Sequence, residues 1–347
     1  AQLCPTRLGR LHVAAAVLFL LAAATVSVLV GPAAYTPGQV LAEIASKIPL
    51  LQVHASIGTT GDVVVWQLRM PRMVLGGLVG AMLAVAGASY QGVFSNPLAD
   101  PYLLGVASGA GLGATVAIAY GPGLSNSLAD PLPAAAFAGA IVAVTATYTL
   151  GRARTPERSA ASMVLAGVAV AAFFTAAETF IQQRQSPDDL TMVYAWLLGG
   201  LSPAGWGQVE MVLPYVAVSA GALFSCRRLL DVLSLGDEEA TSVGVRADRV
   251  RLLVVAAATL GTAAAVAVSG LIGFVGIIVP HTIRLIGGPS YRRIIPLSLL
   301  YGAAFLILAD LLARSVLAPG EVPLGVVTAF LGAPFFLVIL RQARRMS

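Results

Sequence analysis

Lysine is almost missing from this chain. Lys47 is the only one in 347 residues, which excludes a Walker A loop, where glycines and a following lysine cradle phosphates. Any ATP hydrolysis coupled to this protein therefore belongs to another chain. Charge is scarce in general: Asp, Glu, Lys and Arg make up 11% of the residues, against roughly 25% in an ordinary soluble domain. The two cysteines, Cys4 and Cys226, supply neither a disulfide framework nor a CxxC metal motif, and read as plain thiols. His281 has no second histidine, cysteine or clustered carboxylate to help it hold a metal, so no metal site is expected. No nucleophile constellation is visible, which leaves an intramembrane enzyme unsupported.

What is present is apolar. Hydrophobic residues make up 58% of the chain and the mean hydropathy is +0.86. Stretches close to the ~20 residues that a helix needs to cross hydrocarbon recur along the whole length. They predict an all-α integral membrane protein with ten membrane helices, near 11–30, 63–90, 101–119, 134–151, 159–182, 209–225, 250–269, 276–286, 294–314 and 322–340. The eighth is too short to span alone and reads as a half-helix or a continuation of its neighbour. No long polar stretch separates them, so residues 1–347 read as one integral domain. The first, "LHVAAAVLFLLAAATVSVLVG", resembles a signal peptide in its basic flank but is as long as a full span, and is read as a membrane helix.

The basic residues give the orientation. With both termini in the cytoplasm, Lys and Arg divide 16 inside to 5 outside, as positive-inside insertion requires. The outer five are Lys47, Arg69, Arg72, Arg184 and Arg314. Small residues recur at helix-packing spacing at Gly76 and Gly80, and at Gly105, Gly109 and Gly113. Such faces let helix backbones approach closely, here within one subunit in preference to a dimer face.

Three of the outer cations, Arg69, Arg72 and Arg314, sit at the outer ends of predicted helices. A single one would read as a side chain reaching for headgroups. Three guanidinium forks together suit carboxylates on a partner, and predict a cationic docking rim. Asp310 precedes Arg314 by one turn, so an intrahelical pair should neutralise part of that charge.

The longest cytoplasmic insertion, residues 226–251, predicts a short helix opening near Gly236 with "DEEA", a turn at Gly244 and a second short segment. Leu235, Ala240, Val243 and Val245 would leave an apolar face in water, which favours a surface for a peripheral partner. Residues 93–114 begin with an Asn-Pro turn, and Pro101 opens the next helix, giving a tight inner hairpin. Gly270, Gly273, Gly276 and Pro280 are expected to interrupt a helix at membrane depth, which is tolerated where the break is buried or lines a cavity. Glu178 is an ionisable group inside a membrane segment and thus a candidate site, read as lining a vestibule or paired locally. There is no chain of acids through the midplane, which argues against a proton-driven secondary carrier.

Several stretches in this order, "QLRMPRMVLGGLVGAMLAVAGASYQGVFSNPLADPYLLGVASGAG", "LAGVAV", "WLLGGLSPAGW", "LSLGDEEATSVGV", "SGLIGFVGIIVPHTIRL" and "PLGVVTAFLGAPFF", resemble the FecCD/BtuC-type permeases. Those are the membrane subunits of type II ABC importers for vitamin B12, haem and ferric siderophores. The resemblance runs from about residue 10 to the end. It implies a BtuC-like ten-helix permease in the cytoplasmic (inner) membrane. The permease would pair with a second copy or a related chain, with two ATP-binding subunits below and one periplasmic or lipoprotein binding protein above. ATP and Mg would sit on the partner ATPase, no cofactor on this chain, and no nucleic acid would be involved. The Arg-x-Pro-Arg pair Arg69 and Arg72, with Arg314, would receive acidic side chains of the binding protein. Leu235, Gly236, Asp237, Glu238, Glu239 and Ala240 would enter a groove in the ATPase. Ala160 and Ala161 fall at the cytoplasmic gate, where the vitamin B12 member carries small polar residues, so this chain departs from the pattern there. A ferric siderophore is the expected cargo, as the commonest in the family, with haem or cobalamin as the alternative.

Overall fold

The computed structural model describes residues 9–31, 35–47, 57–121, 130–151, 156–202 and 204–346. The chain begins with α1 (Arg10–Leu29), α2 (Pro37–Ser46) and α3 (Gly58–Val63). A π-helical stretch, Val64–Arg69, joins α3 to α4 (Met70–Val93), and a 3-10 turn, Pro101–Leu104, precedes α5 (Val106–Tyr120). Next come α6 (Pro131–Gly151), α7 (Pro156–Gln182), α8 (Pro187–Leu197), α9 (Trp206–Leu233) and α10 (Asp237–Ser242). The last four are α11 (Ala247–Ser269), α12 (Val275–Gly287), α13 (Tyr291–Ser315) and α14 (Leu324–Met346). Seven stretches are long and apolar enough to cross a membrane: α1, the continuous Gly58–Val93 unit, α6, α7, α9, α11 and α13. The shorter apolar helices α5, α12 and α14 complete the set, one for each predicted segment. Among the described residues there is no strand.

Two helices run further than hydropathy alone suggests. α9 continues to Leu233 and α11 already starts at Ala247, so the predicted 226–251 insertion shrinks to residues 234–246. The reason is periodicity. Leu223, Cys226, Leu230 and Leu233 are all buried and extend one stripe of α9 inward past Arg227 and Arg228, which occupy its other face. The second short segment expected after Gly244 is the first turn of α11. Likewise Pro101 opens the 3-10 turn, and α5 starts only at Val106. The hairpin before it is closed by Asn96 Oδ1, which accepts the Leu98 N–H at 2.9 Å, and by Asp100 Oδ1, which accepts that of Tyr102 at 2.9 Å.

The eighth predicted segment is a half-helix. After Ser269 the chain leaves α11 through Gly270, at φ +64°, and re-enters helix after Phe274, at φ +69°. Backbone groups of such a stretch need protein partners when water is excluded. Tyr102 supplies them: its hydroxyl donates to the Ile272 carbonyl and accepts the Ile272 N–H, both at 3.0 Å. Pro280, expected to break the helix, instead sits inside α12. Its missing N–H frees the Gly276 carbonyl four residues earlier. Gln91 Nε2 on α4 donates to that carbonyl at 3.0 Å, so α12 continues unbroken.

The glycine faces pack helices within the subunit. A Cβ on Gly80 would overlap the Gly302 carbonyl oxygen of α13, and Cβ atoms on Gly109 and Gly113 would overlap the Gly139 and Ala135 carbonyls of α6. Gly105 has another task, holding φ +86° between the 3-10 turn and α5. Gly80→Val should therefore force α4 from α13 and cost about 1–3 kcal/mol. Thermal unfolding of the purified protein reads this directly, and an unchanged midpoint would contradict the crossing.

Candidate functional site

Two places gather the residues singled out from the sequence, one at each end of the bundle. At the first end, the last turn of α1 leaves carbonyls without intrahelical donors, as every helix C-terminus does, and adds the negative end of its dipole. Two arginines meet them. Arg69 Nη1 donates to the Val28 carbonyl at 2.9 Å and to that of Leu29 at 3.4 Å. Arg314 Nη2 donates to the Ser27 carbonyl and to Ser27 Oγ, the latter at 2.9 Å. Both arginines are buried, at 6% and 5% exposure. The expected solvent-facing rim is thus, for these two, a cluster turned inward, because α1 offers acceptors that a reading of α4 and α13 alone does not reveal.

Arg72 is the centre of the cluster. Its Nε and Nη2 reach Asp310 Oδ1 at 3.0 and 2.9 Å, and its Nη1 and Nη2 reach Glu321 Oε1 and Oε2 at 2.7 and 2.9 Å. All three guanidinium nitrogens are engaged, by one carboxylate from α13 and one from the loop that follows it. The predicted i,i+4 pair exists, with Arg314 Nε 3.6 Å from Asp310 Oδ2, but the shorter contacts of Asp310 go across to α4. Asp310 is buried and serves both arginines, whereas the Glu321 side chain is 39% exposed. The hydrogen bond from Arg72 holds the Glu321 carboxyl below its ordinary range, against an opposing effect of burial. The fourth of the outer cations, Lys47 at the end of α2, pairs with Asp62 of α3 at 2.7 Å and lies 3.8 Å from Glu43.

The π-helical stretch leading into this cluster has a local cause. Met70 donates its N–H five residues back, to the Val65 carbonyl, and Pro71 has no N–H with which to reach Trp66. The Trp206 indole, at the start of α9, donates to the freed Trp66 carbonyl at 2.8 Å. Arg69 and Arg72 flank this widened turn, and nothing in the sequence spacing announces their partner helix.

At the opposite end, α10 is the short helix expected at "DEEA". Gly236 (φ +124°) and Gly244 (φ +80°) bracket it. The Gly244 N–H donates to the Thr241 carbonyl and the Val245 N–H to that of Ala240, both at 2.9 Å, a Schellman closure. Arg251 of α11, itself buried, reaches Asp237 Oδ1 and Oδ2 at 3.0 and 3.2 Å and fastens α10 to the bundle. Ala240 is fully buried, which corrects its place on the expected apolar surface, and Val245 is half-buried. The outward face consists of Leu235 at 70% and Val243 at 66% exposure, with Glu238 and Glu239 beside them.

Glu178 of α7 accepts from Gln182 Nε2 at 3.0 Å and from Thr115 Oγ1 at 3.5 Å. It lines a cavity of about 440 Å³ with Tyr102, Ser108, Thr175 and Gln182. Arg184 turns away from it and lies over the Phe180 ring at 4.7 Å. Ala160 and Ala161 fall within the first turns of α7, and their side chains lie outside the described residues, as does Cys4. His281 packs edge-on to Phe335 at 5.9 Å.

Known proteins resemble this chain in sequence and fold. The FecCD transport family matches residues 18–342. The cobalamin import permease BtuC of Halobacterium salinarum is 42% identical over 299 residues, which is 86% of this chain and 78% of that protein. The iron(3+)-hydroxamate import permease FhuG of Bacillus subtilis is 36% identical over 305 residues, covering 86% of this chain and 90% of the relative. A solved transporter described as of the metal-chelate ABC type, in an inward-facing conformation, superposes with a TM-score of 0.78 at 28% identity. That superposition covers 94% of this chain and 98% of the other.

Proposed function

The chain belongs to the FecCD transport family, and from that premise we propose that it carries an iron chelate, a ferric siderophore, across the cytoplasmic membrane. It is the multi-pass permease of an ABC importer, a transport subunit. The cargo reading is carried by the likeness to a metal-chelate transporter along 94% of the chain, joined by the iron(3+)-hydroxamate relative. Cobalamin is the second reading, favoured by the 42% identity to a cobalamin import permease. Haem remains in the same class of flat or compact metal chelates.

The working complex in this proposal has two permease copies, two ATP-binding subunits that hold ATP and Mg, and one binding protein, with both permease termini in the cytoplasm. The loaded binding protein approaches the arginine end with acidic side chains, and Arg72 is the fork nearest to the surface. ATP closes the paired ATPases, and their movement reaches the bundle through the α10 face formed by Leu235, Val243, Glu238 and Glu239. Asp237, Gly236 and Ala240 shape and fasten that helix. Ala160 and Ala161 fall at the cytoplasmic gate, and Glu178 lines the vestibule. The chain itself binds no cofactor in this scheme.

Uptake into proteoliposomes tests the cargo. The permease is reconstituted with a partner ATPase and binding protein, and offered labelled ferric siderophores, haem and cobalamin. Accumulation of a ferric siderophore that requires ATP and both partners is the expected result. Accumulation of cobalamin alone would replace the first reading by the second, and hydrolysis without uptake of any of the three would overturn both.

A further inference from the structure

Arg72 holds two carboxylates that differ in kind. Asp310 is buried, shared with Arg314 and part of a helix. Glu321 is 39% exposed and belongs to the connection between α13 and α14, in which residues 316–321 are all exposed. Backbone bonds hold that connection at its two ends: the Val316 N–H donates to the Leu312 carbonyl at 3.1 Å, the Val322 N–H to that of Ala313 at 2.9 Å, and the Leu324 N–H to that of Gly199 at 2.9 Å. The pair is therefore a fixed guanidinium and a carboxylate at the rim, in bidentate contact at 2.7 and 2.9 Å. Any acid arriving from solvent meets Arg72 at the edge that Glu321 already covers.

We propose that Glu321 is an exchangeable intramolecular carboxylate, which occupies the outer edge of Arg72 while the permease is undocked and is displaced by an acidic side chain of the binding protein. The inference rests on the docking role proposed for Arg72. Charge supports it: Arg69, Arg72 and Arg314 against Asp310 and Glu321 leave a formal charge of +1, and removal of Glu321 raises it to +2. An acidic partner then gains an open fork and a stronger field, and approaches faster at low salt. With Glu321 in place, each docking event exchanges one carboxylate for another, which lowers affinity and leaves release easy. A rim pair of this exposure corresponds to a change of up to about five-fold in dissociation constant.

The test measures binding of the purified binding protein to the permease–ATPase complex in lipid nanodiscs, at two ionic strengths. Glu321→Gln should tighten binding about three- to five-fold at low salt, with most of the gain gone at high salt. Arg72→Gln should weaken it, and in the double variant most of the Glu321→Gln gain should be gone, because the open fork exists only where Arg72 is present. If Arg72→Gln weakens docking but Glu321→Gln leaves it unchanged or weaker, the exchange is refuted and the docking surface stands. If Arg72→Gln changes nothing, the docking role falls, and the exchange with it. Glu321 is exposed, so its variant also decides the matter where Arg72→Gln assembles poorly. Tightening lost with salt supports exchange, and any other result rejects it.

Discussion

Asp310→Ala will destabilise the purified protein by about 3–5 kcal/mol, the cost of leaving buried charges without their partner. One carboxylate answers Arg72 at 2.9 Å and Arg314 at 3.6 Å, so a single substitution leaves Arg72 to Glu321 and takes the carboxylate from Arg314, which is 5% exposed and keeps its hydrogen bonds to Ser27. Thermal unfolding in detergent or nanodiscs reads the loss. Asp310→Leu combined with Arg314→Met should recover part of it, since an apolar replacement of a whole buried pair is often neutral. A loss under about 1 kcal/mol for Asp310→Ala would mean that water reaches the cluster, and would return Arg314 to the role of a surface cation.

The second large effect falls on assembly. Leu235 and Val243 are 70% and 66% exposed on either side of α10, and burying side chains of this size against a partner contributes about 3 kcal/mol or more together. Leu235→Asp with Val243→Asp should therefore weaken ATPase association by over about a hundred-fold, abolishing ATP-dependent uptake while the unfolding midpoint stays as it was. Ala240→Asp should do the reverse, damaging the fold first, because that side chain is fully buried. Glu238→Lys should impair coupling through charge reversal on the same face. Co-purification of the ATPase with the Leu235, Val243 double variant at normal yield would refute the surface.

The membrane segments were legible because hydropathy and arginine distribution report a property of each segment by itself. The ends of α9 and α11 were less so, since Arg227 and Arg228 suggest an exit from the membrane although Leu230 and Leu233 continue the buried stripe. The short helices α2 and α8 lack the length that makes a periodic signal. At the candidate site, the identity of the arginines and the Asp310–Arg314 pair could be read, and the other partners could not. Arg72 finds Asp310 and Glu321 at separations of 238 and 249 residues, and Arg69 and Arg314 bind backbone carbonyls, which every residue has. Ala240 was misplaced for a similar reason: in a six-residue helix, one turn decides which side faces inward, and Arg251, fourteen residues beyond Asp237, settles it.

Prolines inside membrane helices are usually discussed as weak points. Here two of them create landmarks. Pro71 leaves one free acceptor at Trp66, taken by Trp206, and Pro280 leaves one at Gly276, taken by Gln91. Lipid gives neighbouring helices little reason to choose one vertical alignment over the next. A lone acceptor with a single matching donor does choose, because a slip of one turn would abandon the bond, and at the buried Gly276 carbonyl no water can replace it. Each missing N–H thus acts as a peg, and the continuous Gly58–Val93 unit carries one toward α9 and another toward α12. Each bond thus favours one height of its helix pair over the next, a bias that pairs packed by small apolar residues alone do not have.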